Sequence, residues 1–374
     1  MTMTKAIMMR SAPLVCIVAL LTLLLARASS PAHSQAAEPV PLPALADLAA
    51  GWNTIEPGGE TICSRGTPYR FFVRPGRPED VTIYFQGGGA CWDAETCAPG
   101  GPFDDSVGTL EEELGFYRGI FDFADSENPL LETTLIFIAY CTGDVHTGAA
   151  RVEHGDGEEA FTIHHAGRAN ASAALGWLFD QIEAPERVLI TGSSAGAYGA
   201  IYHADAILTA YPAARAIVFG DAGVGVLPGD WPGLDVWATR AGLPEDAAFA
   251  QIETATFNDG LYGLLAERYP EVLFSQYTAF NDLVQISFFG LQGGDRTTWE
   301  PRVRASFERL QAEHANFRSY LGWGVSHTIL PLDLFYTLQV EGVRFLDWFT
   351  GLLEGKDVPN VACARCTVPE FYPR

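Results

Sequence analysis

Positive charge is what this chain has least of. Its 374 residues include 23 lysines and arginines against 46 aspartates and glutamates, a formal charge of −23. So acidic a surface repels nucleic acid and anionic membranes, which excludes functions that need a basic face. Long apolar runs are missing too. Leu14 to Leu25 is short of the roughly 20 residues of a membrane span, and no later segment looks long enough. There is no internal repeat and no convincing linker. With 48% apolar residues the chain can bury a sizeable core, so disorder is excluded.

The apolar run near the N-terminus reads as a secretory signal over residues 1–36. Lys5 and Arg10 precede it, and small residues follow, with cleavage sites after Ala28 or Ala36. Cys16 lies inside the apolar core, which does not suit a lipid anchor. Cleavage leaves residues 37–374 as a single exported, soluble domain, secreted or periplasmic. That domain has 20 basic residues against 46 acidic ones, a formal charge of −26, and Lys356 as its only lysine.

Six cysteines then remain: Cys63, Cys91, Cys97, Cys141, Cys363 and Cys366. An even number in an exported chain points to disulfides. Cys91 and Cys97 are close enough to staple one loop. Cys363 and Cys366 pair with each other or clamp the tail to Cys63 and Cys141. They have no nearby histidines, which weighs against zinc. His164-His165 and His146/His154 match no tight ligand spacing and read as loop and helix-start residues. Neither a metal nor an organic cofactor is expected.

From Tyr69 onward, short apolar runs alternate with longer amphipathic segments. The pattern predicts strands over 70–73, 81–86, 134–139, 188–191, 216–219, 272–278 and 317–322. Helices are expected over 165–182, 195–210, 247–268, 302–313 and 340–350. Such alternation gives an α/β fold, a mostly parallel central sheet with helices on both faces. Gly220 to Gly242 is rich in Gly, Pro and Trp and reads as a loop or cap over the sheet.

Ser194 occupies the centre of Gly192-Ser-Ser-Ala-Gly196, between a predicted strand and a predicted helix. A sharp turn there lifts the serine above the sheet as a nucleophile. Its oxyanion partners are the N–H groups of Gly88 and Gly89, from the Gln86-Gly-Gly-Gly-Ala90 loop, and of Ala195. Three histidines follow the serine. His203 is too near in sequence and reads as packed or surface, and His314 lies in a polar helical stretch and reads as solvated. His327, in a Gly-containing loop after a strand, is the favoured base. For the acid, chain order leaves Asp221 and Asp282 equal.

Gln86-Gly-Gly-Gly-Ala-Cys91 with Cys97, Tyr140-Cys-Thr-Gly-Asp144, Gly192-Ser-Ser-Ala-Gly196, Phe219-Gly-Asp-Ala-Gly223, Asp282-x-x-Gln285 and His327-Thr together resemble the pectinacetylesterase/Notum family of serine carboxylesterases, over residues 60 to 340. The bacterial branch is the most similar. The resemblance implies an α/β-hydrolase-like fold with Ser194 as nucleophile, Asp282 as acid and His327 as base. Gly88, Gly89 and Ala195 would form the oxyanion hole, and Asp221 would shape the pocket. Trp92 and Tyr198 join Asp221 as candidate substrate contacts. A Cys91–Cys97 staple fits the same pattern. The chain departs from the family at Gly89 and Ala90, where plant and animal members carry a bulky aromatic, and at Ala197, often glycine; both changes are expected on the pocket wall.

The implied reaction is acyl transfer from an ester substrate to Ser194 and then to water. The first expectation is removal of acetyl from an acylated carbohydrate. The alternative is a longer acyl chain or a polyester. A non-catalytic carbohydrate- or lipid-binding protein on the same fold would require a broken triad, whereas every part has a candidate here.

Overall fold

The computed structural model describes residues 41–364, except residue 230. The expected signal and Cys366 lie outside the described residues. Strands in chain order are β1 (Asn53–Ile55), β2 (Phe71–Arg74), β3 (Arg77–Phe85), β4 (Thr133–Ile138), β5 (Ala150–His154), β6 (Phe161–His165) and β7 (Arg187–Ser193). They continue as β8 (Arg215–Asp221), β9 (Leu273–Ala279), β10 (Phe317–Gly322), β11 (Gln339–Val340), β12 (Val343–Arg344) and β13 (Val361–Ala362). Nine of them form one sheet in the order β1-β2-β4-β3-β7-β8-β9-β10-β13. Pairing is antiparallel at the β1–β2 and β2–β4 contacts and parallel from β4 to β13. This is the mostly parallel α/β sheet that the alternating pattern predicts.

Both faces of the sheet are covered, as successive residues of β8 show. The Phe219 ring packs 5.2 Å from Phe349 on the Phe345–Leu353 helix. At the next residue, Gly220, a Cβ would point the other way, toward Tyr262 and Ala197 on the helices Phe257–Arg268 and Ala195–Ala210. Buried on both sides, these strands read as continuous apolar runs. Parallel pairing also brings the strand ends to one edge: Phe85 lies beside Gly192, Ser193 beside Asp221, and Asp221 beside Tyr277. Loops leaving that edge carry the candidate site, as expected for an open parallel sheet.

Several expectations are corrected. The helix expected over 247–268 is split into Ala247–Ala250, a 3₁₀ turn at Thr254–Thr256 and Phe257–Arg268. Glu253 is extended, and the Ile252 side chain lies against Gly260, so the chain changes direction there. The helix expected over 340–350 starts only at Phe345. Glu341 and Gly342 adopt positive φ and close the β11–β12 hairpin instead. A helix at Leu283–Leu291 was not expected. His154, His164 and His165 belong to the β5–β6 hairpin rather than to loops or a helix start. His314 is buried, not solvated.

Cys63 pairs with Cys141 and Cys91 with Cys97. Cys363 is also disulfide-bonded, and the Cys63–Cys141 bond excludes a clamp from the tail to either of those residues. Among the described residues no helix is long and apolar enough to cross a membrane.

Candidate active site

Ser194 links β7 to the Ala195–Ala210 helix with φ 56° and ψ −124°, a conformation that L-residues avoid outside constrained turns. The surroundings impose it. The Ser194 N–H donates to the Asp221 carbonyl (2.8 Å) and the Ala197 N–H donates to the Ser194 carbonyl (2.9 Å). A Cβ on Gly196 would fall 1.9 Å from the Phe85 carbonyl oxygen, and one on Gly87 would fall 2.9 Å from the Ser194 Cβ. Only glycine lets the end of β3 and the serine turn approach this closely.

The two candidate acids have different surroundings. Asp282 caps the Leu283–Leu291 helix and accepts from the Val284 and Gln285 N–H groups, both at 3.0 Å. It also faces His327 Nδ1 at 2.8 and 2.9 Å. Gln285 Nε2 donates to Asp282 (2.9 Å) and Thr278 (2.8 Å), and its Oε1 accepts from Val224 N–H (3.1 Å). With Nδ1–H held by the carboxylate, Nε2 is the acceptor nitrogen of the neutral ring, and it has no partner among the described residues. Asp221, fully buried, accepts instead from Ser193 Oγ (2.6 Å) and from the Ile329 and Leu330 N–H groups (both 3.0 Å). It therefore ties down the loop carrying His327 and does not hydrogen-bond the ring. Burial pushes its carboxyl up to about 6.

The glycine loop is fixed by its carbonyls. His146 Nε2–H donates to the Gln86 carbonyl (2.8 Å), Asp104 N–H to that of Gly88 (2.8 Å) and the Tyr140 hydroxyl to that of Gly89 (2.9 Å). Gly88 and Gly89 have φ of 152° and 73°, and a Cβ on Gly89 would meet the Pro102 carbonyl at 1.9 Å. The N–H groups of Gly88, Gly89 and Ala195 have no partner among the described residues. Beneath the loop, His203 Nε2–H donates to the His146 carbonyl at 2.8 Å. Donation in this way requires a proton on Nε2 of each ring, and burial favours the neutral form of both. Burial pushes His146 down to about 3 and His203 to about 4. Asp144, raised by burial to about 6, accepts from Thr142 Oγ (2.6 Å), His146 N–H (3.1 Å) and Gly167 N–H (2.8 Å). Tyr140, Asp144 and Gln285 stand in motifs legible in the sequence, but their contacts do not. His146 has no such signal.

Ser194, Ala195, Tyr198 and His327 line one cavity together with Gly89 and Ala90. Its remaining wall is mainly apolar, with Trp231 and Trp237 from the 220–242 cap and Phe288 from the Leu283–Leu291 helix. Two expected substrate contacts stand back from this wall. Trp92 packs edge-on behind Trp231 at 5.1 Å, and Asp221 is buried beneath the His327 loop. Ala197 is also off the wall, fully buried against Gly223. Cys91, Cys97 and His165 bring potential metal-ligand atoms together, but both sulfurs are already in a disulfide.

The fold is of the α/β-hydrolase type. Over residues 54–229 the chain matches the model of the pectinacetylesterase family, a family of carboxylic ester hydrolases. No curated protein matches it. The family match includes the glycine loop and Ser194; Asp282 and His327 come later in the chain.

The buried histidines set a pH dependence. Their folded pKa values lie below the ordinary 6.5. The stability they contribute is therefore present above about pH 6.5 and is lost as the pH falls toward 4. Asp144 and Asp221, raised to about 6, act oppositely: their contribution is present below the ordinary 3.8 and is lost as the pH rises through 6. His203→Gln keeps an N–H for the His146 carbonyl and does not titrate. Between pH 6.5 and 4 its stability should fall less steeply than the parent's, by up to about 1.4 kcal/mol per pH unit. Urea unfolding at a series of pH values measures this.

Proposed function

We propose that this chain is an exported serine carboxylesterase, with Ser194, His327 and Asp282 as its triad and one catalytic domain over residues 37–374. The carrying observation is the hydrogen bond from His327 Nδ1 to Asp282, with Nε2 unpartnered in the cavity that Ser194 also lines. His327 takes the Ser194 proton as Oγ attacks the ester carbonyl. Gly88, Gly89 and Ala195 N–H groups receive the oxyanion, and His327 returns the proton to the departing alcohol. Water, activated by the same histidine, then releases the acid. Asp221 is a positioning residue that holds the His327 loop to the serine strand.

Acyl chains longer than acetyl fit the cavity best. Its tryptophans and phenylalanines offer an acetyl group little it can use, whereas a longer acyl chain would be buried against them. The family's description supports a second reading, removal of acetyl from a carbohydrate. The signal pattern of residues 1–36 and the disulfides support export.

Ser194→Ala and Asp282→Asn should each lower kcat by about 10⁴ or more. Asp221→Asn should mainly lower thermal stability; a larger rate loss there than at Asp282 overturns the assignment. Tyr140→Phe frees the Gly89 carbonyl and should lower kcat by about ten-fold with KM little changed, less than direct removal of an oxyanion donor. With p-nitrophenyl esters from acetate to palmitate, kcat/KM should peak at hexanoate or beyond. A maximum at acetate would favour the second reading.

A further inference from the structure

The Leu283–Leu291 helix has two roles in the cavity region. Val284, Gln285, Phe288 and Phe289 line the cavity, while Leu283, Val284 and Leu291 are 59%, 37% and 51% exposed. Leu283, Val284, Ser287 and Leu291 fall on one stripe at helical spacing. Three of the four large apolar side chains exposed among the described residues are on this helix. From Leu283 through Gly294 no residue is charged. Val284 belongs to both surfaces, so the cavity wall continues directly onto the exposed stripe.

A soluble carbohydrate substrate gives no reason to keep two leucines in water beside the cavity. An aggregated, apolar substrate does. We propose that this face adsorbs the enzyme to the surface of uncharged, water-insoluble esters, delivering acyl chains to the cavity as water leaves both surfaces. The proposal rests on the esterase reading above. The chain's formal charge of −23 opposes anionic lipid surfaces and narrows the partner to a neutral one.

Adsorption needs no turnover, so it is measured with Ser194→Ala protein as depletion from the aqueous phase over a triolein emulsion. Adding Leu283→Ser and Leu291→Ser should weaken partitioning by roughly ten-fold, given the apolar area removed. Leu291→Ser alone, at the helix end far from Asp282, should weaken it about three-fold and guards against misfolding of the double variant. With Ser194 restored, tributyrin hydrolysis should rise steeply past the solubility limit, and the double variant should lose that rise while still hydrolysing soluble p-nitrophenyl butyrate. Equal adsorption of parent and variants overturns the proposal. So does stronger adsorption to anionic vesicles, or a dimer that the substitutions abolish while emulsion binding is unchanged. Failure of the parent to hydrolyse any soluble ester would instead overturn the esterase reading, leaving the adsorption result to stand on its own.

Discussion

The approach of two backbones fixes the centre of this molecule. The end of β3 and the turn after β7 lie so close that a Cβ on Gly192 would meet the Phe85 carbonyl oxygen at 2.7 Å, and one on Gly196 would meet it at 1.9 Å. Glycine has the largest conformational entropy to lose on folding, and small residues around Ser194 leave few side-chain contacts to offset that loss. Parallel pairing of β3 with β7 and of β7 with β8 supplies the compensation, burying all three strands. Once those strands are in register, Gly87 is against Ser194 and the serine has no ordinary helical or extended conformation open to it.

Loops at the sheet edge are tied to one another by buried polar groups. Asp221 joins the serine strand to residues 329 and 330. Gln285 joins Asp282 to the start of the cap at Val224. His203 and His146 reach from the serine helix to the carbonyl that precedes the three glycines. Each such bond contributes roughly 1 kcal/mol net, while a buried group left unpaired costs about 1–3 kcal/mol. The pairing is thus worth more as a constraint on geometry than as a sum of energies, because any other loop arrangement strands several groups at once. Three carbonyls of the glycine loop, those of Gln86, Gly88 and Gly89, accept hydrogen bonds, while the N–H groups of Gly88 and Gly89 stay uncommitted.

Much of the frame was legible in the sequence. The sheet strands from Phe71 to Gly322 hold apolar, β-branched or aromatic residues, although β9 (LFSQYTA) and β10 (FRSYLG) mix in polar ones. The Ala195–Ala210 helix is a long small-residue segment opening at a glycine-flanked serine. Signals failed where periodicity carries no information. Leu283–Leu291 is apolar on every side and shows no amphipathic stripe, although Asp282 is a good N-cap. The 247–268 stretch has no proline to mark an end to the helix, and at the break the Ile252 side chain packs against Gly260. Asp221 and Asp282 each end or follow a strand, so chain order treats them alike; the distinction lies in which one meets the His327 ring. Trp92 looked like a pocket residue from its place beside the glycines, but Trp231 stands in front of it, a long-range contact that local pattern does not encode.

The family match stops at Gly229, and most of the cavity's bulk is contributed after it. Trp231, Leu234, Trp237, Phe288, Phe289 and Trp299 all lie beyond that point, on a cap and helices packed over the sheet edge. The glycine loop and the serine turn, by contrast, lie inside the matched stretch and are bound by backbone contacts that tolerate almost no side-chain volume. A cavity wall made of side chains can change size and polarity without disturbing that backbone geometry. The serine turn and the cavity wall are therefore under separate physical constraints in this chain. The constraint that fixes the serine acts on glycines and strand register and leaves the volume above them free.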